Sequence, residues 1–385
     1  MRALVSAPSC SQAVKLMYIA VRYFFNVPSL FTQPTSKFIM PKSDRIKRTE
    51  EPEKLDEPEE PLVDTTTTIP LRSKPTERLQ KKRHLKEKAS KQHATWWDLP
   101  SELVMDILTL LRPSDVFILS RVNKPLRQFI LQEEAGICRE ILARRYAVLS
   151  KCFPLPVLLE MVDKEAHPAL LSDERQAILN IHKRPYQHIK LPDQRLFCTC
   201  LTCMLAWNNL NLVVDFAYWQ RNLDQGEPIT MIPRGKSPEW NQNLISSNAD
   251  VVLKALDSML WYVRILERHL NSTIGSIRRH GNNKGNKRRR FRMSAEDAEV
   301  ETDLFLERSG PPSMDFPFHR DNYYMLEAYL PNRGWNAELG EWKYMPASQH
   351  DRDAEFVKSW AKRREAAAAQ DAGQNQIEKV QERPR

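Results

Sequence analysis

Cys198, Cys200 and Cys203 form the one cluster in this chain whose residue types suit a metal ion. Thiolates bind zinc well, and His182 or His188 lies near enough in sequence to offer a fourth ligand. The spacing argues against it. Zinc sites read from sequence usually show two C-x2-C units, and only one, Cys200 to Cys203, stands here. On a continuous helix turning about 100° per residue, Cys198 and Cys200 point about 200° apart and cannot share an ion. Free cysteine is also a common small core residue. The expectation is no metal and no cofactor, with these three thiols as the residues to test.

Acid–base or nucleophilic chemistry has less support. Asp215 sits alone in the aromatic stretch "WNNLNLVVDFAYWQ", where a carboxylate can simply cap or pair. There is no G-x-S-x-G elbow, P-loop, G-x-G-x-x-G or H-E-x-x-H motif. The basic run "KGNKRRRFR" supplies Lys287, Arg288, Arg289, Arg290 and Arg292, and a second basic cluster spans 81–91. Such runs serve as nuclear-import signals, phosphate-contacting patches or plain solvated loop charge. Of these, nuclear import suits the compact run at 287–292, against loop charge as the bland reading. Direct nucleic-acid binding lacks a recognition helix or stacking platform. The net charge of +9 over 385 residues is modest and unevenly spread, so it identifies no partner by itself.

The elements that would position these residues read as mostly helical. Residues 41–93 pass from an acidic, Pro-containing run through a Thr tract to a basic run, with too few apolar residues to offset the entropy of ordering. Order is expected to begin at Trp96. Pro100 suits a first helical turn, and Ser114 with Asp115 offers an N-cap after Pro113. Asn123 caps a third helix, with Pro125 in its first turn. From Leu103 to Leu111 the apolar side chains span roughly 220° of circumference, whereas packing on one core needs an arc of about 100° or somewhat more. A second surface must therefore be covered.

Further along, "DVVLKALDSMLWYVRILERHL" carries an apolar stripe roughly 140° wide, with Trp261 and Ile265 opposite it and expected to pack on a neighbour. Residues 196–214 carry no charge and reach membrane-span length, but Asn208, Asn209 and Asn211 make a buried core helix the better reading. "DNYYMLEAYL" is a short helix or strand, "RGWNAELGEWKYM" a turn with aromatic flanks, and "DRDAEFVKSWAKRREAAAA" a closing helix.

Three short helices opening on Leu-Pro, with breaks at Pro113 and Asn123, resemble the F-box. The matching residues are Leu99-Pro100, Glu102-Leu103, Ile107-Leu108, Leu111, Pro113, Asp115-Val116, Leu119, Val122-Asn123 and Leu126-Arg127. Pro125-Leu126 stands where many members carry a Lys-Trp or Ser-Trp pair. "CTCLTCMLAWNNLNLVVDFAYWQRNLD" and "RGWNAELGEWKYMPAS" also resemble the carboxyl-terminal part of F-box proteins common in filamentous fungi.

The resemblance implies a non-catalytic substrate adaptor of a Skp–cullin–F-box ubiquitin ligase, with a Skp-type adaptor as direct partner and cullin and RING subunits behind it. It implies that Leu99, Pro100, Leu103, Ile107, Leu108, Leu111, Pro113, Val116, Leu119, Val122 and Leu126 contact the adaptor. Substrate would be read between about 151 and 348, where Trp207, Trp219, Trp240, Trp261, Trp335 and Trp342 are candidates, although most such rings belong in a core. The alternative is a nuclear interaction or nucleic-acid-binding protein acting outside a ligase through its basic loop.

The expected fold is mainly α. It comprises a disordered, charged segment (1–93), the F-box (94–140), an irregular, mostly helical domain (141–362) with a basic loop (278–300), and a frayed or disordered tail (363–385). Nucleus and/or cytoplasm is the expected location. The first forty residues, with scattered Lys and Arg before the first acid at Asp44, carry the pattern of a mitochondrial transit peptide as a minority alternative.

Overall fold

Proline and asparagine set the helix breaks between residues 101 and 132. In a computed structural model of the protein, described for residues 78–83, 99–181, 187–233, 235–285, 293–308, 316–346 and 348–381, α1 (Ser101–Leu110) begins directly after Pro100. Helix α2 (Pro113–Leu119) places Pro113 in its first turn, where a missing N–H costs nothing. Helix α3 (Lys124–Gln132) is capped as expected, the Leu126 N–H donating to Asn123 Oδ1 at 2.8 Å. The chain divides into two compact units, residues 1–104 and 105–385. Of the first, the described parts are a helical segment over 78–83, where the charged run reads as disordered, and the start of α1. The rest of the segment before residue 99 lies outside the described residues, and so does the transit-like stretch within it.

The second unit continues with α4 (Glu134–Arg145), α5 (Leu149–Cys152), α6 (His167–Leu170) and α7 (Asp173–Ile181). Its centre is built from α8 (Leu201–Tyr218), α10 (Glu239–Asp257) and α11 (Met259–Asn282), with α9 (Gln220–Gln225) turning the chain out of α8. Helix α8 takes up most of the uncharged stretch 196–214 and runs on through Asp215, and its three asparagines are buried and hydrogen-bonded in part: Asn211 donates to the Trp207 carbonyl, and Asn209 accepts from the Tyr329 hydroxyl. Among the described residues no helix is long and apolar enough to cross a membrane.

Short helices α12 (Ala295–Val300) and α13 (Phe305–Arg308) follow, then a 3-10 turn at Arg320–Met325 where the sequence allowed a short helix or strand. The expected aromatic turn is a hairpin, β1 (Arg333–Asn336) against β2 (Glu341–Tyr344), antiparallel with Trp335 opposite Trp342. Gly340, at φ 63°, closes its loop in a conformation that a side chain would strain.

Three boundaries differ from expectation. Helix α11 runs to Asn282 and α12 occupies 295–300, so both ends of the supposed basic loop 278–300 are helical. Helix α14 (Gln349–Gln381) continues through most of the tail read as frayed, because its long Ala- and Glu-containing run has high helix propensity.

Carboxylates join the first helices of this unit to its centre. Glu267 of α11 accepts from the Ser114 N–H at 2.9 Å and from its hydroxyl at 2.7 Å, so α2 is capped from another helix rather than by Ser114 or Asp115. Glu134 of α4 returns the arrangement, accepting from Ser258 Oγ and the Leu260 N–H at the start of α11. Asp303 accepts from the Val148 and Leu149 N–H groups through Oδ2 alone, and its buried Oδ1 has no partner among the described residues.

Burial pushes the Asp303 carboxyl up to about 7. Because its folded value lies above that of the unfolded chain, the native state binds the extra proton between about pH 4 and 7, and stability from this group falls as pH rises through that window. Asp303→Asn keeps the accepting oxygen and removes the charge. Chemical denaturation is expected to show the variant more stable than wild type at pH 8, by on the order of 1–3 kcal/mol, with the gap closing towards pH 4. A gap independent of pH would refute this account.

Candidate functional site

Helices α1, α2 and α3 divide their apolar residues between two environments. Leu108, Pro113, Val116, Leu119 and Leu126 are buried. Phe117 meets Trp261 of α11 edge-to-face at 5.4 Å, and the Arg264 guanidinium lies 4.2 Å from the Phe117 ring centre. Trp261 thus packs on a neighbour as expected, and that neighbour is α2; Ile265 is buried. The Arg145 guanidinium donates to the Leu110 carbonyl at 2.7 Å, satisfying the end of α1.

Other members of the expected contact set face water. Leu99 is 40% exposed and Leu103 49%, Pro100 and Val122 are exposed, and Ile107 and Leu111 are half-buried. The eleven expected contacts therefore separate: five are core of this chain, four are exposed and two are half-buried. The wide apolar arc of α1 is reproduced, with its Leu108 side buried and its Leu103 side open.

A family model for the F-box domain matches residues 96–134. This chain carries an F-box. No curated protein and no solved structure matches it. An F-box implies binding of a Skp-type adaptor and a general role in substrate recognition by a Skp–cullin–F-box ubiquitin ligase, and proteins that carry one are typically non-catalytic adaptors.

Downstream of the F-box, the candidate tryptophans separate as well. Trp207 and Trp219 are core, and Trp240 packs against Trp219. Trp335 and Trp342 pair across the hairpin with ring centres 5.1 Å apart, and Trp335 is 54% exposed. The Arg333 guanidinium stacks 3.9 Å from the Trp342 ring centre, and the Trp342 indole donates to the Glu307 carbonyl, so the pair stands on a fixed base. The same hairpin, through Gly334, Lys343 and Tyr344, walls a cleft of about 490 Å³ that is also lined by Leu205, Phe316 and Tyr329.

Asp215 is neutralised inside the core: Arg320, Tyr323 and Asn248 all donate to it. Arg320 is raised above the ordinary guanidinium value, because the hydrogen bonds and charge of Asp215 outweigh its burial. Lys287, Arg288, Arg289, Arg290 and Arg292 lie outside the described residues, as does His182.

The cysteine cluster is where the sequence geometry fails. Helix α8 begins at Leu201, so Cys198 and Cys200 lie before it and the 200° separation does not apply. Residues 157–159 pair with 196–198 in extended geometry, the Cys198 N–H donating to the Val157 carbonyl at 2.9 Å. Cys200 is the N-cap of α8, its sulfur accepting from the Cys203 N–H. His188 is buried and not a member of the group, being packed against Tyr323. The histidine that does face the thiols is His350, in the first turn of α14. Its Nδ1 lies 3.4 Å from Cys200 Sγ and 3.2 Å from Cys203 Sγ. All four potential ligand atoms, including Cys198 Sγ, fall within 4.8 Å of one another. Hydrogen bonds from the Cys200 and Cys203 thiols hold Cys198 far below the usual thiol range, at about 4, while Cys203 is pushed up by the same sharing.

Proposed function

We propose that this chain recruits a protein substrate to a Skp–cullin–F-box ubiquitin ligase, binding the Skp-type adaptor through α1 and its flanks and presenting cargo on the domain downstream. The observation that carries this reading is the F-box match at 96–134, together with Leu99 and Leu103 left open to solvent. Burying each leucine contributes about 1.5–3 kcal/mol before ordering costs. The chain need supply no bond-making group. Holding cargo near a charged conjugating enzyme raises the effective concentration of the acceptor lysine.

On this reading the cargo surface is the Trp335–Trp342 hairpin and the cleft beside it. Exposed aromatic rings on a rigid base are the residue types that dominate protein recognition, and the exposed Lys343 beside them favours an acidic or carboxylate-bearing segment. The nucleus and the cytoplasm, where cullin ligases work, are the proposed locations, and the basic run at 287–292 is the proposed import signal.

Affinity purification of the full chain from cells that contain a Skp-type adaptor, read by mass spectrometry, tests both halves. Wild type is expected to bring down adaptor, cullin and cargo together. Trp335→Ala is expected to retain the adaptor and lose cargo about tenfold or more, since truncating a central aromatic commonly costs 2 kcal/mol or more. Cargo that survives Trp335→Ala with Trp342→Ala would place recognition elsewhere.

A further inference from the structure

We infer that Cys198, Cys200, Cys203 and His350 form a structural zinc site. Tetrahedral zinc at about 2.3 Å from sulfur and about 2.0–2.1 Å from nitrogen sets its ligands roughly 3.8 Å apart for sulfur pairs and roughly 3.5 Å for sulfur–nitrogen pairs. The two sulfur–nitrogen distances, 3.2 and 3.4 Å, and the 4.8 Å limit on the whole group meet that geometry to within the small shifts an ion would impose. Three cysteines and one histidine leave no open position, as in structural rather than catalytic sites.

The surroundings fit a thiolate-bound ion. Three backbone N–H groups point at sulfur: Cys200 to Cys198, Cys203 to Cys200 and Val157 to Cys203, at 3.4 to 3.5 Å. Such donors stabilise thiolates and orient them towards a metal. Zinc with three thiolates and a neutral imidazole carries one net negative charge. Arg175, whose guanidinium donates to the Thr199 carbonyl, is close enough to Cys200 and Cys198 for its charge to act on both. An apolar shell of Leu159, Val162, Leu170 and Val357 excludes water from the other side.

His350 is held in place independently of any ion. Asp353, one turn further along α14, accepts from the Thr202 N–H at 3.0 Å and hydroxyl at 2.5 Å, fastening the start of α14 to the start of α8. Gln349 donates to the other oxygen of Asp353. The ion would therefore tie together two segments about 150 residues apart in sequence, and its binding energy would enter directly into folding.

The test uses full-length protein purified without an immobilised-metal step. Elemental analysis is expected to give one zinc per chain, retained through dialysis and lost in Cys200→Ser/Cys203→Ser and in His350→Ala. Cys138→Ser, which alters a buried thiol outside the group, keeps it. Because a ligand variant can misfold, wild type is also titrated with an organomercurial: zinc is expected to leave in step with modification of three thiols. Cobalt substituted for zinc should show the absorption of a tetrahedral thiolate site, altered by His350→Ala. Protein that is folded and metal-free, or that carries a Cys200–Cys203 disulfide, overturns the site. So does zinc that survives the double serine change, and a different metal overturns its identity.

Discussion

Leu103→Asp is expected to abolish recovery of the Skp-type adaptor while leaving thermal unfolding of the chain where it was. Leu103 is half exposed on α1, so a carboxylate there remains solvated in the free chain and costs the fold little. Under a partner the same position loses its buried leucine, about 1.5–3 kcal/mol, and must also strip water from a charge. The two effects together exceed about 3 kcal/mol, a loss of affinity on the order of 100-fold or more. Leu108→Ala separates this from simple unfolding. Leu108 is fully buried, and its truncation is expected to cost about 2–5 kcal/mol of stability and to lower recovery only as far as the folded fraction falls. Ile107 is half-buried and would mix the two effects, so Leu99→Asp is the better companion for a double variant. A Leu99→Asp/Leu103→Asp chain that melts normally and still captures adaptor would remove the exposed leucines from the interface.

How much of this was legible beforehand depended on whether the signal was local. Helix breaks at Pro113 and Asn123 follow from a missing N–H and a short side chain that reaches its own backbone, and both stand where expected. The wide apolar arc of α1 was equally local. Which side of that arc lay inside was not, because α11 supplies the packing against α2 from about 150 residues away. Glu267 capping α2, and Glu134 capping α11, replace local caps with partners chosen by tertiary structure. The thiol group failed in the same manner. A helix assumed one turn too early set Cys198 and Cys200 on opposite sides. The histidine near them in sequence is packed elsewhere, while His350 arrives on the final helix. No spacing rule joins residues 203 and 350. What could have raised His350 was its position just ahead of the amphipathic run in "DRDAEFVKSW", whose Ala354 and Val357 are buried.

Arg320→Met is expected to cost about 3–5 kcal/mol, enough to unfold a large fraction of a chain whose total stability falls in the usual range of about 5–15 kcal/mol. Arg320 meets Asp215 with two parallel hydrogen bonds, Nε to Oδ2 at 2.9 Å and Nη2 to Oδ1 at 2.8 Å, and the carboxylate is wholly buried. Its third nitrogen donates to Asn241 Oδ1, the Asn241 amide N–H donates in turn to the Gln187 carbonyl, and the edge-to-face rings of Trp219 and Trp240 both lie within about 6 Å of the guanidinium. Removing the cation leaves Asp215 with only the Tyr323 hydroxyl and the Asn248 amide, two neutral donors for a full charge in the core. The cost is chiefly that stranded charge, not the worth of the pair. Asp215→Asn/Arg320→Met strands no charge and is expected to be more stable than Arg320→Met alone, although it has lost one more native group. Equilibrium denaturation of the two single variants and the double closes the cycle. Losses that simply add would show that the two side chains act independently and that this network does not organise the centre of the domain.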